Sequence, residues 1–444
     1  MQEMLLYIAT AMSLIAMGLL LIRPFWGLLA IFIVRPLVDA TWAQPLFLDF
    51  KLTELVSSFV PLVIFARILF MDEARLRLFS AMPLKWDWII CSADAVFFSA
   101  LIMFQQDWRI GLSVLMRHLN GITGFYMVQA YCRNERDFVR FCWALAIAGL
   151  FPLATGTWEG ITGQHWSITI GTNDVVRNIG MYHDAITIRC YAQQTIIALL
   201  LIFTLSQRRL LTTVFCIAYG LVAIYVIKGA VSKSGSMTLM LWLVLWPILR
   251  KSGKAIAALG IGLLLACTYF AKEIVDSFGF VFTHELDALQ GNAERDATFA
   301  GRWQIWEEMA KEWDTYGPLQ HMFGVGRIAN GAHNDYLQVL FHGGYVGLAI
   351  YFVLLGAVGW SIAKYMLKRL DVWSITALFV YIMWMVDTVG LVPSVFSGYQ
   401  WFAWGVIGFC LRYRQDEPLR AQATMPVTHT PEPRRFPNLM GPVF

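Results

Sequence analysis

Residues 331–361 read GAHNDYLQVLFHGGYVGLAIYFVLLGAVGWS. A short polar stretch, Gly331 to Asp335, gives way to an apolar run long enough to cross a hydrocarbon core as a helix. His333 stands at that junction, and from Asp335 on the helical pattern is uninterrupted. Gly343 and Gly347 lie four residues apart with Gly344 beside them, so one helix face offers another backbone a close approach.

Similar apolar stretches occur at 4–22, 24–39, 53–71, 86–104, 110–131, 138–157, 188–206, 210–228, 236–249, 255–271, 372–390 and 399–411. Arg35-Pro36 interrupts the stretch at 24–39, and 399–411 is short. With 444 residues, 58% hydrophobic and only 14% charged, a soluble chain is excluded. The fold class that follows is all-α, a polytopic membrane protein of about twelve transmembrane helices. The run from Met4 to Ile22 flows directly into the next one without a small-residue cleavage site, so it is read as a retained helix. The seven cysteines fall in or beside apolar segments without metal-ligand spacing. A net charge of +4 without charge blocks argues against nucleic acid as a partner.

Positive clusters at Arg133/Arg136/Arg140, Arg208/Arg209, Arg250/Lys251/Lys254, Lys364/Lys368/Arg369 and Arg412/Arg414 alternate with the spans in one parity, which puts all five on the cytoplasmic side. The loops at 158–187 and 272–334 then face outward. The second carries ten acidic and five basic residues. One span more or fewer moves Met1 across the membrane, so its side stays open. Residues 1–411 form one transmembrane domain. Residues 412–444 turn polar and Pro-rich, as expected of a disordered cytoplasmic tail. No internal repeat is visible.

Six of the eight histidines, His165, His183, His284, His321, His333 and His342, lie in or next to the outward loops. At a helix N-terminus the dipole disfavours imidazolium, so His333 is expected to be a neutral base able to take a proton from a sugar hydroxyl. In the long loop, Trp303, Trp306, Met309 and Trp313 fall on one helical face, with Glu307, Glu308, Lys311 and Glu312 largely opposite. That pattern predicts an amphipathic helix lying in the headgroup layer, with Arg302 at its start. Arg302 is the arginine best placed in an acidic loop to hold a phosphate bidentately. The smaller loop contributes Arg177, His183 and Asp184, and Arg189 follows at the start of an apolar run, where an arginine either snorkels or lines a polar cavity. Further charges within apolar runs are Arg67, Asp94, Arg117, Lys228 and Asp387. His333-Asn334-Asp335 is a poor metal site, because consecutive residues rarely converge on one ion.

With His333 eleven positions before Gly344, and Gly301-Arg302-x-x-x-Trp306 in the loop ahead of it, the chain resembles the O-antigen ligase and polymerase superfamily of bacterial envelope glycosyltransferases over roughly residues 150–360. Two departures stand out. Position 306 is tryptophan where the family often has leucine, and Ser232-Lys233-Ser234-Gly235-Ser236 carries lysine where an arginine frequently follows the serine. The resemblance implies a metal-independent, inverting transferase of the inner membrane. It would move a glycan from undecaprenyl diphosphate to an acceptor at the periplasmic face, without a cofactor. His333 would match the family's base and Arg302 its loop arginine, and either Arg177 or Arg189 the second essential arginine. Asn334, Tyr336, His183 and Arg327 would line the substrate site. The implied partners are the lipid-linked donor, a glycan or lipid A-core acceptor, membrane lipids and a chain-length regulator. A polymerase of O-antigen, capsule or exopolysaccharide is favoured over an O-antigen ligase. From another class, intramembrane charges also suit a lipid-glycan flippase or transporter.

Overall fold

The computed structural model describes residues 2–47, 50–70, 79, 81–167, 176–206, 209–249, 287, 290–291, 302–328 and 331–416. The expected run at 255–271, Arg208, the cluster Arg250/Lys251/Lys254, His284 and the tail from 417 on lie outside the described residues.

Among the described residues the architecture is all-α apart from one two-stranded ribbon. Its elements are α1 (Gln2–Ile22), α2 (Pro24–Ala40), β1 (Pro45–Phe47), β2 (Phe50–Lys51), α3 (Leu52–Phe70), α4 (Lys85–Gln105), α5 (Trp108–Tyr131), α6 (Glu135–Ala148), α7 (Leu150–Thr162), α8 (Ala185–Leu205), α9 (Leu210–Gly229) and α10 (Lys233–Leu249). After these come α11 (Arg302–Trp313), α12 (Pro318–Phe323), α13 (Asp335–Lys368), α14 (Val372–Gly390), a 3-10 turn (Pro393–Val395) and α15 (Ser397–Gln415). Strands β1 and β2 pair antiparallel, Phe47 opposite Phe50, a small exception that the apolar runs on either side concealed.

Among the described residues, eight helical segments are long and apolar enough to cross a membrane, with α6 and α7 counted as one, Glu135–Thr162. The chain is a membrane-embedded helical protein. The other long helices, α2, α5, α10 and α15, pack within the same bundle. The stretch at 24–39 is one continuous helix that runs through Pro36, and the charge of Arg35 is neutralised locally. Its guanidinium pairs with Asp39 at 2.9 Å, donates to Ser57 Oγ at 3.0 Å and lies 5.1 Å from the centre of the Trp401 ring. Helix α15 is buried along nearly its whole length, and it extends through Arg412 to Gln415, past the expected boundary at 411. Glycines let it lie against α5: a Cβ at Gly124 would come within 2.7 Å of the Trp401 backbone.

Helix α13 departs from the sequence reading. It runs to Lys368 but is broken at Gly344, whose φ of 65° and ψ of −160° no residue with a Cβ adopts comfortably. The break lets α12 dock, since a Cβ on Gly344 would strike the backbone of Met322. The backbone at His342–Gly343 is approached closely by Gly324, whose added Cβ would stand 2.9 Å from Gly343 N, while the Cβ directions of Gly343 and Gly347 make room for the carboxylate of Asp94, whose Oδ2 lies 3.3 and 2.9 Å from where those atoms would be.

Gly344→Ala is therefore expected to destabilise the fold by about 1–3 kcal/mol from backbone strain alone, with steric overlap added. Gly356→Ala, in the same helix with open space around it, should be near neutral. Thermal unfolding of the two purified variants checks this, and equal midpoints would contradict it.

Candidate functional site

The site is gathered around the last turn of α14, Asp387 to Gly390. Glycine at the helix end and Pro393 shortly after it stop the helix there. Each residue of the turn holds a different element.

Asp387 is fully buried and accepts from two directions. Arg189 Nη1 on α8 donates to Oδ1 at 2.6 Å, and the Tyr399 hydroxyl on α15 donates to Oδ2 at 2.7 Å. Nη1 of Arg189 also lies 2.8 Å from Ser234 Oγ at the start of α10. A Cβ at Gly235 would overlap the arginine stem at 2.5 Å, so Ser234-Gly235 both bonds and accommodates it. Arg189, with no exposed surface, is consumed in joining α8, α10, α14 and α15. Removing one member of such a pair typically costs about 3–5 kcal/mol, because the other charge is left buried alone.

Thr388 Oγ1 lies 2.9 Å from the Tyr336 hydroxyl, and Val389 O accepts from Asn334 Nδ2 at 3.1 Å. Asn334 is also the N-cap of α13, its Oδ1 accepting from Leu337 N at 3.1 Å. Arg302 lies over Gly390, with Nη1 3.1 Å from where a Cβ would stand. One helical turn thus fixes the entry to α13, where His333 sits, and the head of α11, where Arg302 sits.

Helix α11 is amphipathic as expected, but its apolar stripe faces protein. Met309 and Trp313 are buried with Val325, Ala332 and Phe341 in a small core of their own. Trp306 Nε1 donates to Ala332 O at 2.8 Å, on the residue before His333. Only Trp303 of the stripe is largely exposed. A tryptophan stripe reads identically against lipid and against Phe341, which is why periodicity mistook one for the other. The tryptophan at 306 thereby ties Arg302's helix to the His333 loop.

His333 has φ 43°, in the left-handed region, and its ring is exposed. Its pKa is lowered by partial desolvation and, second, by the charge of Arg302. The sequence expected the helix dipole to do this. Arg302 is itself lowered, by burial first and then by the charges of Arg177 and Arg189. Arg177 is lowered by burial, and its Nε is buried without a partner. Asn178 N, next to it, donates to Gly229 O at 3.0 Å and anchors that segment to the end of α9. Arg302 thus lies within electrostatic reach of His333, of Arg177 and of Arg189. Arg302 and Arg177 make no hydrogen bond or ion pair among the described residues, whereas Arg189 is ion-paired with Asp387 through Nη1 and keeps a buried Nε without a partner.

The other expected contacts are otherwise occupied. Arg327 pairs with Glu312 and bonds the Tyr316 hydroxyl. Tyr336 stacks on Phe352 at 5.3 Å. His183 packs edge-on against Trp42 at 4.1 Å, and the neighbouring Asp184 caps α8 through Thr187 N at 2.8 Å. His165 lies 3.8 Å from Glu159, and His321 Nε2 lies 2.8 Å from Trp313 O. The sequence reading missed the turn Asp387–Gly390, Ser234 and Tyr399 as parts of the site. Asp387 stood out only as one intramembrane charge, and its match with Arg189 in sign and helix-end position was the available signal.

Among the described residues no three His, Cys, Asp or Glu side chains converge as metal ligands. Comparison of the sequence with family models and with curated proteins gives no match.

Removing the positive charge beside His333 should raise its pKa. In Arg302→Gln the pH midpoint for diethyl pyrocarbonate modification of His333, which requires the neutral ring, is expected to move up relative to wild type. An unchanged or lower midpoint would contradict the coupling.

Proposed function

We propose that the chain is a membrane glycosyltransferase that moves a glycan from a polyprenyl diphosphate to an acceptor sugar. The observation that carries this reading is a neutral-favoured imidazole, His333, within electrostatic reach of Arg302, which in turn lies within reach of Arg177, both guanidiniums making no hydrogen bond or ion pair among the described residues. That set answers two needs of the reaction, a base for a hydroxyl and cations for a departing diphosphate.

In the step proposed, His333 takes the proton of the acceptor hydroxyl while the oxygen attacks the anomeric carbon. The bond from that carbon to the diphosphate oxygen breaks with its electron pair, and attack opposite the leaving group inverts the centre. Arg302 and Arg177 stabilise the charge on the released polyprenyl diphosphate, a contribution of a few kcal/mol per preorganised donor. Arg177 is assigned the diphosphate rather than Arg189, because Arg189 is already paired with Asp387 at 2.6 Å. Arg189 acts as a positioning residue through that pair. No metal or cofactor is invoked, since the diphosphate already activates the sugar.

The resemblance to the O-antigen ligase and polymerase superfamily supports the same reading and adds its setting. That setting is a bacterial inner-membrane protein of about twelve spans, with the site at the periplasmic face and undecaprenyl diphosphate as the carrier. The departures at Trp306 and Lys233 favour a polymerase, with a second lipid-linked glycan as acceptor and a chain-length regulator as partner, over ligation to lipid A-core.

Purified protein supplied with a synthetic lipid-linked oligosaccharide tests the reading. A lengthened or transferred glycan is expected. Redistribution of the lipid across liposomes with no new glycosidic bond would make the protein a carrier and overturn it. His333→Ala should reduce transfer by about a hundredfold or more, the usual scale for losing a general base. Arg302→Lys should also lose most activity, because an ammonium lacks the bidentate fork. Near-normal rates in either variant would contradict the roles assigned.

A further inference from the structure

A second polar centre lies inside the bundle, on residues the transfer chemistry does not use. A cavity of about 40 Å³ is lined by Asp94, His118, Asp335, Gln400, Trp88 and Tyr351, among others, which is room for a few water-sized species. The two carboxylates there differ. Asp335 has both oxygens satisfied, by the Ser394 hydroxyl at 2.5 Å and the Tyr351 hydroxyl at 2.7 Å. Asp94 has no hydrogen bond or ion pair among the described residues, although it lies midway along α4, which is a membrane-crossing segment.

The other groups at the cavity also present acceptors. Gln400 is only 2% exposed. Its Nε2 is committed to Arg117 O at 2.8 Å and Ser394 O at 2.6 Å, while its Oε1 receives no donor among the described residues and lies beside Gly121, another lining residue. His118 Nδ1 is 2.9 Å from Val114 O. A carbonyl only accepts, so the proton is on Nδ1 and Nε2 is left as an acceptor, buried and unpartnered. Next to it, 6.1 Å between ring centres, His342 has no exposed surface and no partner on either nitrogen. Carboxylate, amide oxygen and imidazole lone pair thus face one small space; the charge of Arg117 reaches His118 and His342, but Arg117 makes no ion pair with Asp94 among the described residues. Gly343 and Gly347 keep the carboxylate's side of that space clear.

We propose that Asp94 anchors an intramembrane site for a univalent cation, either a proton carried on water or a sodium ion, with Gln400 Oε1 and His118 Nε2 as further acceptors. An unpaired carboxylate within a bilayer is a costly feature that persists where something positive is bound to it. The size of the cavity excludes organic cations. One unpaired carboxylate, with no metal-type cluster among the described residues, suits single rather than double charge. The site is independent of glycan transfer and of His333.

The test uses the full wild-type chain in lipid nanodiscs. Dicyclohexylcarbodiimide, an apolar reagent that adds to protonated carboxyl groups in lipid surroundings, is mapped on the chain by mass spectrometry. Sodium chloride is exchanged for choline chloride at fixed pH, and pH is varied at fixed salt. Cys91, His118, His342, Asp335 and Tyr351 share the cavity or adjoin it, so the signal is read at Asp94 itself. Modification of Asp94 that falls severalfold with sodium identifies a sodium site. Modification that follows pH and ignores sodium identifies a proton site. In parallel, sodium should raise the unfolding temperature of wild type but not of Asp94→Asn in the first case, and in the second Asp94→Asn should lose part of the pH dependence. Asp94 left unmodified across the pH range in which the protein stays folded overturns the site, and this holds whether or not Asp94→Asn folds. Modification indifferent to both sodium and pH overturns it equally.

Discussion

The buried pair between Arg189 and Asp387 is the constraint on which the candidate site rests. At 2.6 Å and with neither side chain exposed, it fixes the last turn of α14 against α8, and Ser234 and Tyr399 extend the hold to α10 and α15. Neither charge can be withdrawn without stranding the other in an apolar interior. The turn so fixed carries Asn334, Tyr336 and Arg302 on its remaining residues. A rigid interior pair thereby locates a loop histidine and a loop arginine that the loops alone could not hold in register.

Much of the fold was legible because a bilayer leaves few solutions. Apolar runs of membrane length must be helices, and all those falling on described residues are helical. The boundaries moved where local chemistry outweighed hydropathy. Arg35 did not break α2, because Asp39, Ser57 and Trp401 absorb its charge, and Gly344 broke α13 although the apolar run continued past it. The ribbon at 45–51 was too short to show any alternation.

The candidate site was legible as residue types and illegible as partnerships. His333, Arg302 and Arg177 were named from a loop histidine and scarce loop arginines. The commitment of Arg189 to Asp387, nearly two hundred positions away, could not be read from spacing. Asn334 and Tyr336 were taken for substrate contacts, yet they bind Val389 and Thr388. Arg327 was drawn the same way and is held by Glu312. In each case the polar group was visible in the sequence and its neighbour was not. The tryptophan stripe taught the converse lesson, since its face was right and only its occupant was wrong.

The central claim is that α11 docks on the entry to α13 and so brings Arg302 beside His333. A benzophenone amino acid in place of Trp306, irradiated in native membranes and analysed by mass spectrometry, tests this contact directly. The account requires cross-links within the chain to the segment 331–341, around Ala332 and Phe341. Cross-links to lipid, with none to that segment, would place the helix in the headgroup layer and separate Arg302 from His333.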